Sequence, residues 1–342
     1  MNSTRTLKHF SLIITITIVI FSIIAISHKN FIFHTLQTTK MAAAAVAPNS
    51  TTGFVCMWNG TKDGADAFVD YGSGNTNINE PQKVNIVAHD IRHLEPQPSL
   101  AQDGYELADH VTELSTEEML AGNTPEGRKL IENAYYAECK KIIADITKAP
   151  IVEPYIFRIR QNGAHPRDFG TKNVANKGMT SSSLPIAHVD RDRRTLRDGI
   201  IEYFGEEEAQ RLFKKHKRYA QINVWRGVDE VIKKWPLIFI NHAQVPNWDY
   251  DSHMATVKPI NDPRVAIRGQ KAQDSVLKYA DGYSYYYVSD MKKEEVLVFS
   301  SGDSDAARVV PHGAFWDDKT ADDAPTRRSL EVRAWVFFDD EE

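Results

Sequence analysis

The sequence predicts a mainly β fold with flanking helices, a β-sandwich or jelly roll, and three observations carry that prediction. Helical spacing of apolar residues is confined to two stretches, 124–148 and 195–218. From Gln221 onward the chain is a succession of short runs rich in β-branched and aromatic residues, broken by turn residues. Helices come early and strands late, without the strict alternation that builds a parallel α/β sheet.

Taken in order, residues 1–40 contain an apolar run from Phe10 to Ser27 that would be about 27 Å long as a helix. It reads in three ways: a single-pass membrane anchor, a signal peptide ending near Ala25-Ile26-Ser27, or an extension from an upstream start ahead of Met41. Residues 41–82 read as a polar lead-in, with domain structure setting in near Thr52. Residues 83–338 form one domain, and 339–342 an acidic tail. Lys83 to Val87 is a short strand leading into His89 and Asp90. Behind a Thr124-Pro125-Glu126 helix start, Leu130, Ala134, Ala137, Ile142, Ile143 and Ile146 recur at helical spacing and form one buried face. Alternating apolar and basic residues from Tyr155 to Arg160 mark a half-buried strand.

A loop rich in Gly, Asn and Ser, 161–183, leads to a strand end at His188. Two helical segments follow, separated by Gly205. The later strands are Gln221 to Val228, Pro236 to Ile240, Ser284 to Val288, Val296 to Ser300 and Ser329 to Phe338. Tyr283, Tyr285, Tyr286 and Tyr287 read as core aromatics.

A net charge of −5, with acids and bases interspersed, leaves no basic stripe to neutralise a nucleic-acid backbone. Two cysteines support neither a disulfide framework nor a four-cysteine zinc site, and Cys56 and Cys139 read as reduced structural thiols. The expected partner is a small molecule. The expected place of the catalytic domain is the cytoplasm, with membrane contact only through residues 10–27.

Chemistry enters with His188-Val189-Asp190. On a strand, residues i and i+2 face the same side, so His188 and Asp190 can reach one metal while Val189 packs away. Two histidines and a carboxylate on one face suit iron(II) and leave the opposite face open. The pair alone carries little: twelve histidines and 46 acids predict about 1.6 such pairs by chance. Two occur, the second being His93-Leu94-Glu95. What separates them is the order of the distant residues. His312 sits in Val309-Val310-Pro311-His312-Gly313, and Arg327-Arg328-Ser329 opens the last strand. Arg327, Ser329, Glu331 and Arg333 share one strand face, and Leu330, Val332, Ala334 and Val336 the other. Arg327 and Ser329 can therefore hold one carboxylate together. Arg226, a cation on the apolar face of Ile222 and Val224, reads either as a carboxylate-binding residue inside the barrel or as a structural partner of Asp303. His89 and His93, flanking Asp90, mimic a metal site but read as structural.

At this point the chain resembles a known family, the fungal and bacterial oxygenases grouped with gibberellin desaturase and the cephalosporin 7-alpha-methoxylase subunit. The resemblance spans most of residues 83–338. It runs through Val87-Ala88-His89-Asp90-Ile91-Arg92, Ser99 to Tyr105, Ala187-His188-Val189-Asp190 and Asn223-Val224-Trp225-Arg226. It continues through Gly302-Asp303-Ser304, Pro311 to Phe315 and Arg327 to Arg333. Gly227, where the family usually has proline, and Arg328, where it often has an acid, depart from the pattern. The resemblance implies a double-stranded β-helix of cupin-like jelly-roll type, with iron(II) at His188, Asp190 and His312. It also implies 2-oxoglutarate as co-substrate, dioxygen as oxidant and ascorbate as reductant. The implied activity is hydroxylation or desaturation of a small specialised metabolite. Two alternatives stand beside it: a metalloenzyme of the same fold that does not use 2-oxoglutarate, such as an isomerase or ring-cleaving dioxygenase, and a non-catalytic jelly-roll binding module.

Overall fold

The computed structural model describes residues 49–162, 180–182, 185–262, 271 and 273–339. The apolar run at 10–27, and with it the anchor, signal and extension readings, lies outside the described residues. Among the described residues no helix is long and apolar enough to cross a membrane.

The strands form two facing sheets. In chain order they are β1 (Ser50–Met57), β2 (Ala67–Asp70), β3 (Gln82–Asp90), β4 (Tyr105–Asp109), β5 (Ile151–Asn162), β6 (Thr180–Ser182), β7 (His188–Val189) and β8 (Tyr219–Gly227). The later ones are β9 (Leu237–Asn241), β10 (Met254–Ile260), β11 (Asp274–Leu277), β12 (Ser284–Tyr287), β13 (Glu295–Asp303), β14 (His312–Ala314), β15 (Trp316–Asp317) and β16 (Ser329–Phe337). The larger sheet runs β15-β1-β3-β12-β9-β14-β7-β11-β10-β2, and the smaller β4-β13-β8-β16-β5-β6. This is the predicted jelly roll. Neighbours remote in sequence, such as β14 and β7, lie side by side, as the fold requires.

The smaller sheet is buried on both faces: every residue of β8, β13 and β16 is buried. Its outer face, including Ile222, Val224, Leu330, Val332 and Val336, packs under the helices between Thr116 and Thr147. Its inner face carries Trp225, Leu297 and Phe299, which meet Phe239 of the larger sheet. That arrangement leaves polar inner-face residues nowhere to point except the space between the sheets.

Three features depart from the sequence reading. The expected lead-in, 41–82, contributes β1 and β2, and β1 pairs along its whole length with β3. The sheet therefore begins at Ser50, near the Thr52 onset and well before residue 83. Gly53 in its middle hid it, since glycine is depleted in strands, although Val55 and Met57 are fully buried. The helix after Thr124 starts as expected, with the Thr124 side chain accepting from Gly127 N and Pro125 in the first turn. It then passes through a π-helical turn at Ile131–Tyr135. The extra residue rotates the buried stripe onto Ile131, Tyr135, Cys139, Ile142 and Ile143 and leaves Ala137 exposed. Strands β4, β10 and β11 were also not legible. Tyr283, Tyr285 and Tyr287 are core residues, as expected.

Candidate metal centre

His188 and His312 are direct cross-strand partners in the β7–β14 pair. Their rings lie 4.7 Å apart, and both are almost fully buried. Val189 turns the other way, into the core behind the larger sheet. Asp190 follows at the end of β7, with Oδ1 3.4 Å from His188 Nε2 and Oδ2 3.5 Å from His312 Nε2. The three side chains form a group able to hold one metal ion, and it is the one such group of histidine, cysteine and acidic residues among those described.

Local hydrogen bonding fixes both imidazoles in the required orientation. His188 Nδ1 lies 2.8 Å from Ile186 O, and His312 Nδ1 lies 3.1 Å from Val310 O. A carbonyl can only accept, so each Nδ1 carries the proton and each Nε2 presents its lone pair to the centre. The strand geometry repeats the device, since both carbonyls lie two residues before the histidine. Phe299 meets the His312 ring edge-on at 4.6 Å and limits its rotation.

Asp190 is held from three sides. Its Oδ1 accepts from Arg333 Nη2 at 2.6 Å; its Oδ2 accepts from Asn223 Nδ2 at 2.6 Å and from Ser301 Oγ at 2.9 Å. Burial by itself raises the Asp190 carboxyl. The Arg333 guanidinium leads the opposing causes, and the group is held well below the usual carboxylate range. Behind Arg333, its Nε donates to Glu331 Oε1 at 2.8 Å. These supporting roles were not read from the sequence. A signal was present in the polar positions 221 and 223, interleaved with Ile222 and Val224 in a fully buried strand.

Arg327 and Ser329 lie on the same β16 face as Arg333, as alternation predicts. Arg327 is buried, donates from Nη1 to Trp235 O, and sits over the Trp225 ring at 5.1 Å. Its Nε and the Ser329 Oγ are buried with no hydrogen-bond partner among the described residues. Burial and the nearby Arg160 charge push Arg327 down to about 9, with Glu331 acting in the opposite sense. A buried cation on the same strand face as a buried hydroxyl is a donor pair that could hold an anion.

Arg226 is elsewhere. It points to the helical layer, where Nε donates to Tyr135 Oη at 2.8 Å and Nη2 meets His110 Nδ1 at 2.6 Å and His110 O at 3.2 Å. The reading of Arg226 as a cofactor-binding residue is therefore corrected: it shares its face with Ile222 and Val224, and that is the outer face. Nor does it pair with Asp303, which Arg218 holds at 2.8 Å. His89 contacts Ser50 Oγ at 2.8 Å, and Asp90 accepts from Arg92 N at 3.2 Å and from Ser289, so that cluster is structural.

Comparison with known proteins adds four findings. A family model described as "Oxidoreductase/YMDC permease-like domain" matches residues 58–337. Oxidoreductase R1 of Phoma sp. is 45% identical over 86% of this chain and 100% of its own length. The hydroxylase/desaturase efuI of Hormonema carpetanum is 25% identical over 88% of this chain and 99% of its own. Among solved structures, the iron and alpha-ketoglutarate-dependent endoperoxidase NvfI superposes with a TM-score of 0.68 at 18% identity, over 86% of this chain and 100% of that one.

Proposed function

The chain belongs to the oxidoreductase/YMDC permease-like domain family, among fungal oxidoreductases and hydroxylase/desaturases, and from that premise we propose that it is an iron(II)- and 2-oxoglutarate-dependent oxygenase. The observation that carries the reading is the pairing of two incomplete sites between the sheets. One is a buried His-Asp-His group with both Nε2 lone pairs turned inward. The other is a buried arginine and serine with unsatisfied polar atoms. The donor set suits iron(II): three ligands from the protein, two nitrogen and one oxygen, with positions left for other molecules. The solved relative of like fold, NvfI, uses iron and alpha-ketoglutarate by its name.

His188, Asp190 and His312 would hold the metal, and Arg327 with Ser329 would grip the distal carboxylate of 2-oxoglutarate. Bound there, iron(II) with 2-oxoglutarate and dioxygen supplies the oxidising power to break a substrate C–H bond. The chain's own part is to position and to exclude water. Trp225, Phe239 and Phe299 wall the space beside the ligands with apolar surface, and the strand-borne ligands are fixed before any substrate arrives. The substrate class in this proposal is a small specialised-metabolite intermediate, hydroxylated or desaturated, with ascorbate as an accessory reductant. The same proposal puts the catalytic domain in the cytoplasm, a reducing compartment in keeping with Cys56 and Cys139, both buried and both free.

The test is anaerobic titration of the purified protein with iron(II) and 2-oxoglutarate. A metal-to-ligand charge-transfer band should appear in the native protein and be absent in His188→Ala. A native protein that binds iron(II) stoichiometrically yet shows no band with 2-oxoglutarate would end the proposal.

A further inference from the structure

The hydrogen bonds around Asp190 determine how many of its oxygens a metal can use. An ionised carboxylate only accepts, with about two lone-pair positions per oxygen. Ser301 Oγ accepts the Asp190 backbone N–H at 3.0 Å, so its single proton is directed at Oδ2, 2.9 Å away. Asn223 must turn its NH2 to the carboxylate, which places its own Oδ1 toward Gln221 Nε2 at 3.4 Å. Gln221 must then present its carbonyl outward, and there it accepts from Tyr155 Oη at 2.5 Å. Each amide has one self-consistent orientation, fixed from Tyr155 inward. Oδ2 is thereby saturated by two protein donors. Among the described residues Oδ1 accepts a hydrogen bond from Arg333 alone and keeps one position open.

Both ends of this chain of bonds sit at β-bulges. The β13–β8 register slips between Ser300 and Gly302, leaving Ser301 as the extra residue. The β16–β5 register slips between Arg333 and Ala334, which pair with Ile156 and Pro154 and leave Tyr155 unpaired. A bulge disrupts the ladder and re-aims a side chain, and bulges gather next to active sites. Pro154, which has no N–H to give the ladder, accounts locally for the second. The aromatic stack of Tyr155 on Trp335, centroids 4.7 Å apart, anchors the outer end.

We propose that Ser301 and Asn223, with Asn223 oriented through Gln221 by Tyr155, are positioning residues that restrict Asp190 to binding the metal through Oδ1 alone. The inference rests on the metal reading above and adds to it. With each protein ligand giving one atom, a bound metal would keep open the positions that 2-oxoglutarate needs. If Oδ2 were released, Asp190 would chelate with both oxygens and occupy a position the co-substrate requires.

The experiment compares the native protein with Asn223→Ala/Ser301→Ala and with Tyr155→Phe, which removes only a hydroxyl far from the metal. Mn(II) is titrated first, and 2-oxoglutarate is then titrated into the Mn(II)-saturated protein by calorimetry. In the double variant Mn(II) affinity should hold or rise, while 2-oxoglutarate affinity falls by about tenfold or more; Tyr155→Phe should move the same way by less. The opposite pattern overturns the proposal: Mn(II) affinity lower by the about 10–100-fold usual for lost ligand orientation, with 2-oxoglutarate binding unchanged. Unchanged binding of both overturns it too. If the double variant fails to fold, the same readings are taken on Ser301→Ala. Failure of the native protein itself to bind Mn(II) or 2-oxoglutarate would instead refute the oxygenase reading, so the two failures are distinguishable.

Discussion

Replacing Arg327 with methionine should make the ligand-free protein more stable and leave it unable to hold 2-oxoglutarate. The cation is buried, and its fall to about 9 corresponds, at about 1.4 kcal/mol per unit, to a penalty on the order of 4–5 kcal/mol. Methionine keeps much of the aliphatic bulk but loses the bond to Trp235 O and the contact with the Trp225 ring, together about 2 kcal/mol. The balance favours Arg327→Met by about 2 kcal/mol, or roughly 4 °C in Tm for a domain of this size. Affinity for 2-oxoglutarate moves the other way: two charge-assisted bonds lost at about 1.5 kcal/mol each weaken binding about 150-fold. Differential scanning fluorimetry, with and without 2-oxoglutarate and Mn(II), reads both effects. A variant that melts lower than the native protein without ligand, yet is still stabilised by 2-oxoglutarate to the native extent, refutes the reasoning.

Two further outcomes follow from the same structure. Arg226→Met should destabilise the fold by about 3 kcal/mol, because it strips partners from buried Tyr135 Oη and from half-buried His110; denaturant unfolding should show the loss while 2-oxoglutarate affinity, measured by calorimetry, stays native. Gly313→Ala should weaken metal binding without altering a ligand. A Cβ there would lie 2.9 Å from Ile186 O, the carbonyl that orients His188, so Mn(II) affinity should fall about tenfold, and an unchanged affinity would show that this close approach is not needed.

The outline of the site was legible because it depends on local periodicity. His188 and Asp190 face one way because a strand alternates, and the same rule put Arg327, Ser329 and Arg333 on one side of β16. Their order along the chain, with His312 between, distinguished His188-Val189-Asp190 from His93-Leu94-Glu95. Spacing alone could not.

Which side of a strand lines the cavity is a different matter. Alternation sorts residues into two faces, and in an ordinary half-buried strand polarity then names the inner one. In β8, β13 and β16 every position is buried, so that asymmetry is absent. Arg226 and Asn223 are both polar, buried and three residues apart, and only the packed sheets decide that Asn223 meets Asp190 while Arg226 meets Tyr135. The bulges at Ser301 and Tyr155 are likewise set by pairing with distant segments. The sequence by itself determined the kind of fold and brought forward the three candidate metal ligands and the arginine-serine pair. Tertiary structure decided the network that holds Asp190, because that network joins β5, β8, β13 and β16, strands brought together only when the sheet closes.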